Sequence, residues 1–419
     1  MPAARRSAAH CPSRASHRYG EDMVGQILDG IRVLELGQLI AGPFAAKTLA
    51  DFGAQVIKIE PPGQGDPLRK WRLLHEGTSV WWEAQSRNKE SVCVDLRQPD
   101  GQALVRQLAG QADVLIENFR PGTMEKWGLS WETLHALNPR LIMLRISGYG
   151  QSGPKSQEPG FAAIGEAMAG LRYLNGEPGR APVRAGLSLG DTIAGLHGAM
   201  GVLLALYQRD ARGGQGQVID AALYESIFNL SESLLPEYSV FGAVREPAGA
   251  ALPGIAPSNA YPCRDGYVLI AGNGDAIFQR LMQAIGRSDL GADPELAHND
   301  GRARRVHELD AAIGAWSAQR DIDGVLQAMR EAGVPAGRIY SVADIARDPH
   351  YRARGAITSL RAASGVEVEM PAVFPVLSDN PGAVRQRAPR LGEHTDAVLQ
   401  AAGLDDVQRA RLRAAGVIA

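Results

Sequence analysis

From Ile31 onward the chain alternates short β-branched apolar runs with stretches whose apolar residues recur at helical spacing. Ile31–Leu36 reads as a strand, Phe44–Asp51 as a helix and Gln55–Glu60 as a second strand, which makes a βαβ unit. The pattern repeats with a strand over Ser91–Leu96, a helix over Gly101–Ala109, a strand over Asp113–Asn118, a helix over Trp131–Leu137 and a strand over Arg140–Ile146. Strands linked through helices predict a parallel, doubly wound sheet, because a strand can return parallel to its predecessor only through a crossover of helix length. Such sheets bind ligands beyond the carboxyl ends of their strands. Chemistry is therefore expected in the loops after Leu36, Glu60, Leu96, Asn118 and Ile146.

A long apolar helix is predicted over Thr192–Arg209, followed by a strand over Val218–Ala221 and a helix over Tyr224–Leu230. Gly195, Gly198 and Gly201 share one face of that helix and predict close approach of another backbone, of a helix above all. Residues 24–230 thus make the first part of a large domain. The Pro-, Gly- and Ala-rich stretch Ala248–Pro262 marks a boundary, and Tyr267–Ala271 with helices from Asp275 and His307 places a smaller domain at 245–335. A helix over Val342–Arg347, the apolar run Met370–Phe374 and a helix from Thr395 make 340–419 a C-terminal part that returns to the large domain. Residues 1–23 carry Arg5, Arg6, Arg14 and Arg18 with no acid before Glu21, and read as a disordered leader or as the product of a start codon set ahead of Met23.

The charge balance, 44 Lys+Arg against 46 Asp+Glu, is interleaved along the chain and gives no footprint for nucleic acid or an anionic membrane. Cys11, Cys93 and Cys263 form no short-range pair, which argues against a disulfide framework or a Cys-based metal site and points to the cytosol. The apolar stretch around Met200–Tyr207 is too short to span a bilayer by itself.

Several motifs compete for the chemistry. Gly148-Tyr-Gly-Gln-Ser-Gly153 follows a strand and matches a dinucleotide loop, but Pro154-Lys-Ser-Gln-Glu-Pro159 interrupts the helix that would receive a pyrophosphate. Gly186-Leu-Ser-Leu-Gly190 matches the nucleophile elbow of α/β-hydrolases, with Ser188 as nucleophile and His394 as base, yet Pro182-Val-Arg-Ala is a poor strand ahead of it. Asp191 reads first as an N-cap of the long helix. A carboxylate there would also be kept ionised by the helix dipole and backbone donors, and so be poised as a nucleophile. His197 and His394 have no visible partner, and Cys263 reads as an inert thiol.

Taken in order, Val33-Leu-Glu-Leu-Gly-Gln-Leu-Ile-Ala-Gly-Pro43, Gly53-Ala-Gln-Val-Ile-Lys-Ile-Glu60, Gly63-Gln-Gly-Asp66, Asn88-Lys89, Glu117-Asn-Phe-Arg-Pro-Gly122, Gly128, Asn138-Pro139, Gly148-Tyr-Gly150, Gly190-Asp191, Gly213-Gly-Gln-Gly216 and Pro389-Arg-Leu-Gly-Glu-His394 resemble the class III CoA-transferase, or CaiB/BaiF, family from about Gly30 onward. The resemblance implies a Rossmann-like parallel-sheet large domain with a smaller α/β domain in an interlocked, ring-like homodimer. It implies an acyl-CoA donor, a carboxylic acid acceptor and no permanently bound cofactor or metal. It places the nucleophile at Asp191, which would form aspartyl anhydride and aspartyl-CoA thioester intermediates. By the same resemblance Gln38, Ile40 and Ala41 lie near the adenine and ribose of CoA, Arg97, Asn118, Phe119, Arg120 and Lys126 around its nucleotide and pantetheine, and Ser147, Gly148 and Tyr149 close to the thioester. Pro61 and Ser147 stand where part of the family has basic residues. The α-methylacyl-CoA racemase branch of the family needs a His at the position that corresponds to Phe161, so transfer is expected rather than racemisation. Arg145, Arg172 and Arg184 are each candidates to face an acceptor dicarboxylate, or are simply surface arginines.

Overall fold

The computed structural model describes residues 25–419; the expectation for residues 1–23 lies outside them. Six strands form the main sheet: β1 (Arg32–Glu35), β2 (Gln55–Glu60), β3 (Lys89–Cys93), β4 (Val114–Glu117), β5 (Ile142–Ser147) and β6 (Val218–Ala222). All neighbours are parallel, and the spatial order is β3-β2-β1-β4-β5-β6. That is the Rossmann order, and its winding reverses between β1 and β4, the place where sheets of this order receive ligands at their strand ends. Val33, Val114, Leu115, Ile116, Ile142, Met143 and Leu144 are essentially inaccessible, as strands covered on both faces must be.

Helices cover the two faces: α1 (Ala41–Asp51), α2 (Pro99–Ala109), α3 (Thr123–Lys126), α4 (Trp131–Leu137), α5 (Ala162–Met168), α6 (Leu171–Leu174) and α7 (Leu189–Ala211). Two starts differ from the sequence pattern. Helix α1 begins at Ala41 rather than Phe44, because Pro43 falls in the first turn, where a missing N–H is harmless. Helix α7 begins at Leu189 rather than Thr192, so its N-cap is Ser188, which makes no side-chain cap bond, and Asp191 sits inside the first turn.

Helix α7 is also long and apolar enough to cross a membrane by length and composition. Its Ala194, Gly198, Ala199, Val202 and Ala205 are nevertheless buried in the chain, and Arg209 pairs with Asp113 at 2.9 Å. The glycine face packs mostly on the sheet: a side chain at Gly198 would meet Leu144 of β5 and one at Gly201 would meet Ile219 of β6. Only Gly195 touches a helix, where a Cβ would come within 2.6 Å of the Ala41 carbonyl oxygen.

A second, antiparallel sheet of Ser258–Cys263, Gly266–Ala271 and Ala336–Arg338 has its own core of Val268, Ile270, Phe278, Leu281, Ile313, Val325 and Met329. The apolar run Met370–Phe374 belongs to the end of a hairpin, Ile357–Arg361 with Glu367–Pro371, and leaves Phe374 exposed. The C-terminal residues sit against β3: the His394 amide donates to the Ser91 carbonyl at 2.9 Å, the Cys93 amide to the Thr395 hydroxyl at 3.1 Å, and Val94 bridges to Ile418.

Candidate active site

The turn between β1 and α1 is fixed by side chains from three other places. The Gln38 amide donates to Asn118 Oδ1 at 2.7 Å, and Asn118 Nδ2 donates back to the Gln38 carbonyl at 2.9 Å. The Leu39 amide donates to both Asp66 oxygens, at 3.1 and 3.2 Å, which holds a non-glycine residue at φ 65°. Gln85 Nε2 reaches the Ile40 carbonyl at 3.0 Å. A left-handed leucine costs about 1–3 kcal/mol and persists only where its surroundings over-determine it. Gly37 and Gly42 are required here, since a Cβ on either would come within 3.3 Å of the other's Cα.

Beneath the turn lies a buried charge network. Lys58 Nζ touches Glu35 Oε1 at 2.9 Å, Asp66 Oδ2 at 2.9 Å and the Gly37 carbonyl at 2.8 Å, and all three side chains are essentially inaccessible. Burial alone would lower the Lys58 pKa, but the carboxylates of Asp66, Glu35 and Glu60 hold it above the usual lysine range. Lys89, with one carboxylate, Glu35 at 2.8 Å, is brought down by its burial to about 8. Asp66 therefore links the network to the turn.

Across the switch point, Asn118 opens the loop after β4. Glu117 accepts from the Phe119 amide at 2.8 Å and from Arg145 Nε at 2.7 Å, while Arg145 Nη1 reaches Glu125 Oε1 on α3 at 2.8 Å. Burial pushes the Glu117 carboxyl up to about 7 against the pull of Arg145. Phe119 packs edge-on against Trp127 with centroids 5.0 Å apart, and Arg120 and Lys126 are exposed, with no ion-pair partner among the described residues. At the end of β5, the Ser147 hydroxyl is buried without a hydrogen-bond partner among the described residues. A Cβ on Gly148 would come within 2.9 Å of Gly160 Cα, and Tyr149 packs beside Tyr224.

These placements sort the expected residues. Gln38, Ile40, Ala41, Asn118, Phe119, Ser147, Gly148 and Tyr149 come from the ends of β1, β4 and β5, which are sheet neighbours, and Arg120 and Lys126 lie on the same β4 loop. The buried side chains of Ile40 and Ala41 leave mainly their backbone to face a ligand. Arg97 stands apart: it follows β3 at the sheet edge, and its guanidinium lies on Asp95 at 2.8 and 2.9 Å.

Asp191 stands one turn ahead of Gly195 on the same face of α7, and Gly195 lies on the first residue of α1. Asp191 therefore lies on the side of α7 that packs against the start of α1. The carboxyl is half-buried. Its neighbour Gly190 donates to Glu166 Oε1 at 3.2 Å, and Glu166, 1% exposed, lies 3.5 Å from Arg172 Nε. Dipole and backbone donors do not hold the Asp191 carboxyl low. Burial and the Glu166 carboxylate raise it to about 6, with Arg184 pulling the other way. It remains ionised at neutral pH and is a stronger base than an ordinary aspartate.

The rival motifs do not assemble. Ser188 has no base at hand, since His394 Nδ1 accepts from the Ser91 amide at 3.3 Å beside β3. Gly148–Gly153 runs into turns rather than a helix, and His197 is half-buried within α7. Burial, with Asp265 and Asp321, pushes the Cys263 thiol up, in keeping with an inert group. Phe161 is exposed and caps the start of α5. Sequence reasoning gave no role to Asp66, Glu117 or Glu166. Asp66 and Glu117 lay within recognised motifs, whereas nothing in the sequence marks Glu166.

The model of CoA-transferase family III matches residues 28–395. The chain belongs to CoA-transferase family III. A succinyl-CoA–D-citramalate CoA-transferase of Chloroflexus aurantiacus is 48% identical over 93% of this chain and 98% of its own. A succinate–glutarate CoA-transferase of Agrobacterium fabrum is 34% identical over 91% and 96%. In structure, a CaiB/BaiF family protein from Brucella suis superposes with a TM-score of 0.79 at 36% identity, covering 90% of this chain and all of that one. This family III enzyme is therefore a CoA-transferase working on CoA thioesters, with the six-stranded parallel sheet expected of it.

Proposed function

We propose that the enzyme moves CoA from succinyl-CoA, or a similar dicarboxylic acyl-CoA, to a small dicarboxylic acid through covalent intermediates on Asp191. The observation that carries this reading is Asp191 itself: half-buried, raised to about 6, and set in the first turn of α7, one turn ahead of the Gly195 that packs on the start of α1. The names of the relatives, which pair succinyl-CoA with citramalate, malate or mesaconate, support the substrate class.

An Asp191 oxygen attacks the thioester carbonyl, the C–S bond breaks, and CoA leaves as thiolate with the electron pair. The thiolate then attacks the aspartyl carbonyl of the mixed anhydride and expels the donor acid as a carboxylate. The acceptor carboxylate attacks this aspartyl-CoA thioester and releases the thiolate again. In the last step the thiolate attacks the acceptor's acyl carbon, and Asp191 departs as a carboxylate. No proton is transferred, so no histidine is needed. Both anhydrides are open to water, which makes burial of Asp191 useful despite its cost. CoA would run along the loops that hold Gln38–Ala41, Asn118–Lys126 and Ser147–Tyr149, its phosphates meeting Arg120 and Lys126, and its thioester near the unpartnered Ser147 hydroxyl. Arg97 would join only at the adenylate end.

The test is hydroxylamine added to enzyme incubated with succinyl-CoA. Asp191 should become a hydroxamate, Asp191→Ala should abolish transfer, and Ser188→Ala should keep most of it. Label on Ser188 instead would overturn the mechanism.

We further propose that the enzyme works as an interlocked homodimer. The helix Leu234–Phe241 has no buried residue, and Val240 and Phe241 are 71% and 79% exposed. Leu196, Met200, Leu203 and Tyr207 form an exposed apolar stripe along α7. Short helices need a packed face to persist, and a second copy of the chain supports both. Two differently tagged dimers mixed under native conditions should not exchange subunits within hours; exchange in minutes, or a monomer on dilution, would refute interlocking.

A further inference from the structure

The start of α7 gathers negative charge. Asp191 and Glu166 are neighbours there, and a dicarboxylic acceptor would bring two more carboxylates to a partly dry site, where like charges repel unless a cation meets them. Three arginines are candidates for that cation. Arg145 is already consumed: it is buried, and its three nitrogens lie on Glu117 and Glu125 at 2.7 to 3.3 Å. Arg172 is partly consumed by Glu166 at 3.5 Å.

Arg184 differs from both. It is exposed, has no ion-pair partner among the described residues, and lies in the irregular run that leads into α7. The Val183 amide beside it donates to the Asn175 carbonyl at 3.0 Å, anchoring the run to the end of α6. Arg172 of that helix reaches Glu166 at 3.5 Å and Glu166 accepts from the Gly190 amide at 3.2 Å, so the run that carries Arg184 is tied to the first turn of α7, where Asp191 stands. A guanidinium fork also matches a carboxylate in two parallel hydrogen bonds, which a lysine cannot do.

We propose that Arg184 holds the non-reacting carboxylate of the donor's acyl group and of the acceptor, and so selects dicarboxylates at the Asp191 site. The inference rests on the reading of Asp191 as nucleophile. The acyl group occupies the same place before and after exchange, so one residue would act on both half-reactions. Arg172, held by Glu166, would add field without giving up its own partner.

The test compares label exchange between succinyl-CoA and succinate with exchange between butyryl-CoA and butyrate, in wild type, Arg184→Gln and Arg184→Lys. Losing a charge-assisted contact should lower kcat/KM for the succinyl pair by roughly 10- to 100-fold, chiefly through KM, and leave the butyryl pair within about twofold. Arg184→Lys should fall between, and because Arg184 is exposed the melting temperature should not move. An unchanged ratio between the two pairs overturns the assignment. So does a selective loss on Arg172→Gln that Arg184→Gln does not share. A wild type that transfers with neither pair, or forms no Asp191 hydroxamate, would instead overturn the nucleophile reading beneath it.

Discussion

Replacing Asp191 by Asn should destroy activity and stabilise the protein. A carboxyl that titrates near 6 instead of its ordinary 3.8 carries an ionisation penalty in the folded state that the unfolded chain does not share. At about 1.4 kcal/mol for each pH unit, that penalty is about 3 kcal/mol. Below 3.8 both states are protonated and nothing is lost. Between 3.8 and about 6 the unfolded chain releases its proton and the folded one retains it, so stability falls. Above about 6 the penalty is constant. An asparagine has the same shape and no charge, so Asp191→Asn should gain up to about 3 kcal/mol at pH 7 to 8 and little at pH 4. For a chain of this length the gain corresponds to a melting temperature higher by roughly 3–4 °C. Thermal unfolding of both proteins across pH 4 to 8 reads it directly. A variant less stable than wild type at pH 8, or a gain that does not shrink as the pH falls, would refute the burial and Glu166 account of this site.

The same reasoning predicts that Glu166→Gln, which can still accept from the Gly190 amide, moves the acid limb of the kcat/KM profile below pH 6; an unmoved limb would mean that Glu166 does not act on Asp191. Gly195→Ala should cost about 1–3 kcal/mol in denaturant unfolding, because the new methyl meets the Ala41 backbone carbonyl, whereas Gly198→Ala should be close to neutral, because it meets the side-chain ends of Leu144 and Ile146 rather than backbone and recovers helix propensity. Asp66→Ala removes a partner of fully buried Lys58 and the acceptor of the Leu39 amide, and should lower stability by about 3–5 kcal/mol.

Much of this was legible in the chain. The alternation that begins at Ile31 marks all five early strands, because a sheet buried on both faces leaves continuous apolar runs between polar turns. Helix ends were less legible. Local signals put the start of α7 at Thr192, but α7 extends to Leu189 because Gly190 packs on Ala162 and its amide finds Glu166 from another helix. That partner lies 24 residues away, and no spacing rule connects the two. The glycine face was visible but not what it meets: two strands and a helix of the same chain satisfy it. Arg145 illustrates the same limit. As a letter it could have faced a substrate, and only the fold shows Glu117 and Glu125 taking its nitrogens.

The two halves of the site are built on opposite principles. Around the β1–α1 turn, backbone groups have dedicated side-chain partners: Asn118 for Gln38, Asp66 for Leu39, Gln85 for Ile40, and Lys58 with Glu35 beneath. That turn is expected to receive a nucleotide and gains from being rigid before the ligand arrives. Around Asp191 the satisfaction is withheld. Among the described residues Asp191, the proposed nucleophile, has burial and a carboxylate neighbour but no ion-pair partner, the Ser147 hydroxyl at the end of β5 has no hydrogen-bond partner, and Arg184, in the run leading into α7, has no counter-ion. Unmet groups in a native site are worth explaining, and a substrate that carries a thioester at one end and a carboxylate at the other would meet the hydroxyl and the guanidinium together. On this account the binding energy of the second carboxylate offsets the cost of bringing an anion up to Asp191, which is why removing Arg184 should be felt by dicarboxylates and not by their monocarboxylate counterparts.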